Sequence, residues 1–132
     1  MRLKEKISII TGAASGFGKG IAEKFSKEGA KLILADINKD LLEKVSKDLN
    51  QDFLHTDVAN SNSMQQLADY VLKKYGTIDI MVNNAGITHL PKPLEEVSED
   101  EFDKVFAVNS KSVFLCGKFF VPHMKKQKKG SI

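Results

Sequence analysis

A chain of 132 residues, 42% hydrophobic and 28% charged, has the size and balance of one globular domain or part of one, which excludes a disordered or fibrous protein. Its net charge of +3 rests on lysine, with Arg2 the only arginine; readers of bases and phosphates favour arginine forks, so nucleic-acid binding is not expected. Cys116 is the only cysteine, no apolar stretch is long enough to span a bilayer, and Met1–Lys6 is too charged to read as a signal peptide, so the expectation is a cytoplasmic protein with no membrane partner.

The first expected strand, Lys6–Ile10, leads into Thr11-Gly12-Ala13-Ala14-Ser15-Gly16-Phe17-Gly18. A helical pattern opens there with Ile21, Ala22 and Phe25 on one face, runs from Gly16 to Glu28, and is stopped by Gly29. The second strand, Lys31–Ala35, ends at Asp36, and Asn38 is placed to cap a helix with the stripe Leu41, Leu42, Val45 and Leu49. A short third strand, Phe53–His55, gives way to Thr56-Asp57-Val58. Met64, Leu67, Ala68, Val71, Leu72 and Tyr75 then mark a helical face closed by Gly76. The fourth strand, Ile78–Val82, runs into Asn83-Asn84-Ala85-Gly86. After a loop with Pro91 and Pro93, Ser98 and Glu101 have the spacing of a capping box. The long helical stretch beyond has Phe102, Val105, Phe106, Val113 and Phe114 on its apolar positions, and Pro122 is expected to bend or divide it. Gly130-Ser131-Ile132 reads as the opening of a fifth strand.

Strict alternation of strand and helix predicts an α/β fold: a doubly wound parallel sheet of the Rossmann type, covered on both faces. Right-handed crossovers give the strand order 3-2-1-4 and a crevice beside the first strand, at the carboxyl ends, where a ligand belongs. Residues 1–132 form one domain on this reading, incomplete because the pattern stops as the fifth strand begins.

The glycine turn joins a buried strand to a helix start, whose first amides lack partners and carry partial positive charge. That suits a phosphate group. The spacing is not that of a P-loop, because Ala13 stands where its first glycine belongs and Gly20 follows Lys19; a phosphate hydrolase is therefore disfavoured. Nor is it G-x-G-x-x-G, since Ile21 replaces the third glycine. Asp36 ends the strand next to the first, where a carboxylate accepts from ribose hydroxyls and repels a 2′-phosphate. Asn83 and Asn84 are suited to hold a sheet end open by bonding backbone groups, while Ala85 and Gly86 leave room for a ligand. His55, His89 and His123 have no metal-ligand spacing, so no metal is expected. Cys116 reads as a core residue, and Lys125–Lys129 as a solvated helix end.

The T-G-x-x-x-G-x-G turn at residues 11–18 and the N-N-A-G quartet at 83–86 resemble the short-chain dehydrogenase/reductase family, and the likeness spans the whole chain. It implies an oxidoreductase that moves a hydride between C4 of a nicotinamide and a small alcohol or carbonyl substrate. The implied cofactor contacts are Gly12, Ser15, Gly16, Phe17 and Gly18 in the turn, Asp36 and Ile37 after the second strand, Asp57 and Val58 beside the adenine, and Asn84, Ala85 and Gly86. NAD is expected in preference to NADP, from Asp36 and from Ser15, where NADP-using relatives often carry a basic residue. Asn109 is implied to interrupt its helix and to hold a water in the proton relay to a catalytic lysine, and Thr88-His89-Leu90-Pro91 to border the substrate. The family's serine, tyrosine and lysine lie on the fifth strand and the next helix, which this sequence stops short of. The 132 residues alone are thus expected to be an inactive part of an enzyme; the alternative is a non-catalytic NAD-binding module. Tyr70 and Lys74 satisfy Y-x-x-x-K but lie on the helix before the fourth strand, so they are not expected to be catalytic. By the same resemblance the long helix forms a subunit contact in a homo-oligomer, with Phe114, Phe119 and Phe120 suited to it.

Overall fold

The computed structural model describes all 132 residues, Met1–Ile132. Every residue of β1 (Ile7–Thr11) is buried, which requires a strand on each side and cover on both faces. β2 (Lys31–Asp36) and β4 (Ile80–Val82) flank it, and β3 (Asp52–His55) pairs with β2, all parallel. The order is β3-β2-β1-β4, as alternation and handedness predict. β2 displays the two faces: Leu32 and Leu34 share a core with Ala22 of α1 (Gly16–Lys27) and Leu42 and Val45 of α2 (Lys39–Leu49). Ile33 and Ala35 point the other way, into a core with Met64, Leu67 and Val71 of α3 (Ser61–Tyr75) and Leu115 and Phe120 of α5 (Ser112–Lys126).

The helix ends follow local chemistry. Gly29 and Gly76 close α1 and α3 at φ of +86° and +72°, a conformation that costs glycine little. Asn38 accepts from the Leu41 amide at the start of α2, and Asn60 from the Ser63 amide at the start of α3. Ser98 and Glu101 make the expected capping box at α4 (Glu99–Phe106). Lys92, 2.7 Å from Glu101, together with the Ser98 amide, holds that carboxyl down to about 2.

Three expectations need correction. Pro122 does not divide the long helix, since α5 runs through it. The amide that proline lacks would have bonded the carbonyl of Lys118, an exposed residue, so no buried acceptor is stranded. The interruption lies earlier, where Ala107–Lys111 widen into a π-helical turn. It puts the two segments out of phase. Consequently Phe102, Phe106, Val113 and Phe114 form an outer face, each at least half exposed, while Ser112, Leu115, Cys116, Phe120 and Met124 point inward. Phe120, expected at a subunit contact, belongs to the core. Finally, β4 starts at Ile80, and Ile78 and Asp79 are buried in the irregular segment before it.

The fifth-strand reading is supported. Ser131 makes a parallel bridge with Ile80, donating to the Asp79 carbonyl at 3.0 Å and accepting from the Met81 amide at 2.9 Å. Asp79 ties this corner together. Its carboxylate accepts from the Ile7 amide at 3.0 Å and pairs with Lys129 at 3.0 Å. Burial alone would raise its pKa, but these two partners outweigh that and hold it below the usual carboxylate range. Asp79→Ala is expected to cost about 2 kcal/mol at neutral pH, because it strands the buried Ile7 amide and removes the charge partner of Lys129. A carboxyl whose pKa is lowered on folding stabilises fully above its unfolded value and loses that contribution as pH falls through the folded one. Urea denaturation should therefore show the wild-type advantage shrinking below about pH 4, the unfolded value for Asp; an advantage constant down to strong acid would exclude the ionised carboxylate as its source.

Candidate cofactor cleft

The carboxyl ends of all four strands open onto one cleft of about 490 Å³. Gly12, Ser15 and Phe17 line it from the glycine turn, and Asp36 and Ile37 from the end of β2. Thr56 and Val58 face it from beyond β3, Asn84–Ile87 from beyond β4, and Lys104 and Val108 from the α4 side.

The glycine turn is shaped by contact. Gly12 has φ of +66°, and a Cβ there would lie 2.8 Å from Asn84 Nδ2 and 2.9 Å from Ala85 Cα. Gly16 has φ of +54°, and Gly18 is buried in the first turn of α1 against Gly12. Ser15 occupies the N-cap position in extended conformation, but its side chain makes no capping bond, and the first turn holds no acid. This sets α1 apart from α2, α3 and α4, whose starts are all capped by side chains. The start of α1 thus presents amides and partial positive charge to the cleft without a neutralising group from the protein.

Of the two asparagines in the N-N-A-G quartet, Asn84 bonds the backbone of the glycine turn. Asn84 donates through Nδ2 to the carbonyls of Thr11 at 2.9 Å and Gly12 at 3.3 Å. The Thr11 hydroxyl accepts from the amides of Asn84 and Ala85, both at 3.1 Å, and donates to the Val82 carbonyl at 3.2 Å. Asn83 instead turns inward and donates to Cys116 Sγ at 3.3 Å. Burial pushes the Cys116 thiol up, which suits the core role expected of it.

Asp36 is fixed at both oxygens. Oδ2 accepts from the Ala14 amide at 3.0 Å and Oδ1 from the Asn38 amide at 2.9 Å. Each oxygen keeps acceptor capacity for a hydroxyl. Asp57 is oriented differently: its carboxylate accepts from the Ala59 amide at 2.9 Å, within its own turn, and its neighbours Thr56 and Val58 line the cleft instead. Asn109 sits in the π-turn, exposed rather than buried on an apolar face. It clips the backbone of Ile87, accepting from its amide at 2.9 Å and donating to its carbonyl at 2.8 Å, and so reaches the cleft wall through that residue.

Thr11, Thr56, Ile87, Lys104 and Val108 contribute to the site without having been singled out by role. Val108 precedes Asn109 and Lys104 lies four residues earlier, a helical spacing that could have placed both on one face. Tyr70 and Lys74 take no part in the cleft. Lys74 pairs with Asp52, the first residue of β3, at the amino ends of the strands. Tyr75 also donates to Asp52, and burial first, then this bond, pushes its phenol up to about 12. Of the histidines, His55 bonds the Ile37 carbonyl at 3.0 Å and His89 the adjacent Leu90 carbonyl at 2.8 Å. No group of three or more His, Cys, Asp or Glu is placed to hold a metal ion.

The chain belongs to the short chain dehydrogenase family, whose profile it matches over residues 6–132. Its relatives include the uncharacterized oxidoreductase YxbG of Bacillus subtilis, 41% identical over 128 residues, with 93% of this chain and 47% of that protein covered. The 3-oxoacyl-(acyl-carrier-protein) reductase of Thermotoga maritima is 40% identical over 137 residues, covering 100% of this chain and 55% of the other. Among solved structures, a 3-ketoacyl-(acyl-carrier-protein) reductase from Brucella melitensis complexed with NADH superposes with a TM-score of 0.90 at 36% identity, over 94% of this chain and 52% of that one. A short chain dehydrogenase/reductase from Burkholderia phymatum in complex with NAD gives 0.93 at 34% identity, over 99% and 48%. The chain spans about half the length of the curated relatives it matches.

Proposed function

We propose that residues 1–132 form the NAD-binding part of an oxidoreductase that exchanges a hydride with a small alcohol or carbonyl compound. The observation that carries this reading is the uncapped start of α1, open to the same cleft as the fixed carboxylate of Asp36. The amides of the glycine turn suit a pyrophosphate, and the absent side chain at Gly16, where nothing lies within 4 Å of a Cβ, leaves it room. Asp36 accepts from the adenosine ribose, Ile37 and Val58 flank the adenine, and Asn84, Ala85 and Gly86 line the path toward the nicotinamide. Asp57 supports Val58 through its own turn, and Asn109 holds the cleft wall through Ile87. NAD, when bound, supplies the hydride acceptor. NAD is preferred to NADP because the Asp36 carboxylate repels a 2′-phosphate. Two solved relatives carry NADH or NAD in their crystals, which supports the cofactor class.

The domain assignment belongs to the same proposal: 1–132 is the amino-terminal part of a single-domain enzyme whose serine, tyrosine and lysine lie outside these residues. One observation favours a second reading, a binding module without turnover. The chain's two tyrosines, Tyr70 and Tyr75, both lie on α3, and neither lines the cleft. The exposed Phe102, Phe106, Val113 and Phe114 are read as the subunit contact of a homo-oligomer. No helix is long and apolar enough to cross a membrane; a cytoplasmic location, suited to the free Cys116, is part of the proposal.

Calorimetric titration is expected to give saturable binding of NAD and weaker binding of NADP. No heat from either dinucleotide with folded protein refutes the reading. A turnover assay on the same sample, with a panel of alcohols and ketones, then separates the enzyme from the module.

A further inference from the structure

We infer that His55 is a positioning residue for the adenosine end of the cleft, acting on Asp36 through the peptide that joins Ile37 to Asn38. The inference rests on the NAD reading above. His55 ends β3 and pairs in register with Asp36, the last residue of β2. Its Nε2 lies 3.0 Å from the Ile37 carbonyl. A carbonyl only accepts, so Nε2 carries the hydrogen and donates.

The Ile37 carbonyl and the Asn38 amide belong to one planar unit. The chain has no cis peptide bond, so the two groups point in opposite directions. The carbonyl end is tied to His55, and the amide end donates to Asp36 Oδ1 at 2.9 Å. Asp36 Oδ2 is already held by the Ala14 amide at 3.0 Å. The carboxylate is therefore suspended between the glycine turn on one side and a peptide anchored to β3 on the other. Thr56 adds a backbone tie, donating its amide to the Asp36 carbonyl at 2.9 Å. That bond fixes the strand end but does not reach the next peptide plane, which is held at its amide end by Asp36 Oδ1. The His55 ring supplies the restraint at the carbonyl end of that plane. Ile37, whose side chain is 65% exposed and lines the cleft, is set by the same peptide. His55 does not itself line the cleft, so its influence on a dinucleotide passes through Asp36 and Ile37.

The test measures dissociation constants of NAD, NADP and nicotinamide mononucleotide for the wild-type protein and for H55A, H55Q and H55M. Loss of one hydrogen bond of ordinary strength corresponds to roughly a three- to ten-fold weakening. H55A is expected to weaken NAD by that factor, to narrow the NAD-to-NADP ratio, and to leave nicotinamide mononucleotide unaffected. H55Q, whose amide donates in place of Nε2, is expected to restore the ratio. H55M, of similar length but without a donor, is expected not to, and this pair decides the matter even if H55A loses the fold. An unchanged NAD-to-NADP ratio in H55M overturns the inference, as does equal weakening of NAD and the mononucleotide. Failure of the wild-type protein to bind either dinucleotide overturns the cofactor reading itself, and is distinct from both of those results.

Discussion

Gly18→Ala is expected to lower the stability of the fold by about 3 kcal/mol, the upper end for an overpacked site, and to abolish dinucleotide binding. A Cβ at Gly18 would overlap the Gly12 carbonyl oxygen and lie 2.7 Å from its carbon and 2.5 Å from Asn84 Nδ2. None of these atoms swings away easily. The Gly12 carbonyl is backbone and accepts from Asn84, and Asn84 is held in turn by Thr11. Relief requires the first turn of α1 to move off the glycine turn, which displaces the amides proposed to hold the pyrophosphate. Gly20→Ala supplies the control. It lies two residues further along α1, with nothing within 4 Å of a Cβ, and alanine there is expected to add about 0.5–1 kcal/mol through helix propensity alone. Urea denaturation of the two variants should move the midpoint in opposite directions. A shift of the same sign in both would mean that the contact at Gly18 is not what fixes the turn.

Asp36→Ala is expected to weaken NAD roughly ten- to hundred-fold, the loss of hydrogen bonds to a charged acceptor, while NADP binding holds or improves. Two effects act together. The ribose hydroxyls lose their acceptor, and the charge that opposes a 2′-phosphate disappears. Lys39, the first residue of α2, then supplies a nearby positive charge for the added phosphate, offset in part by Asp40 in the same turn. Parallel calorimetric titrations with the two dinucleotides measure the ranking. If it stays as in the wild type, Asp36 does not select the cofactor.

Much of this architecture was legible because each signal was local. Leu32–Ala35 is a run too apolar for a strand with a wet face, and both of its faces are buried. Asn38 and Ser98 bond amides three residues ahead, within reach of a reader of the sequence. Gly29 and Gly76 mark their stops in the same way. What stayed hidden depends on partners far along the chain or on orientation. Asn109 finds Ile87 across 22 residues, and no local pattern announces that match. A strand-ending aspartate reads alike whether it faces the cleft, as Asp36 does, or folds into its own turn, as Asp57 does. The π-turn leaves no composition mark, so a helical period carried through Ala107–Lys111 does not reveal that Phe102 and Phe106 face outward while Phe120 and Met124 face the sheet.

That widened turn makes the segment sensitive to insertion and deletion even at positions whose side chains touch nothing. Each residue advances a helix by about 100°. Removing any one of the five between Ala107 and Lys111 would swing everything downstream by that angle and lift Phe120 and Met124 off the sheet. Altering a side chain such as Ser110 or Lys111, both at the surface, leaves the phase intact. Among variants of this chain, the count of residues in that stretch is therefore under tighter constraint than the identity of Ser110 or Lys111.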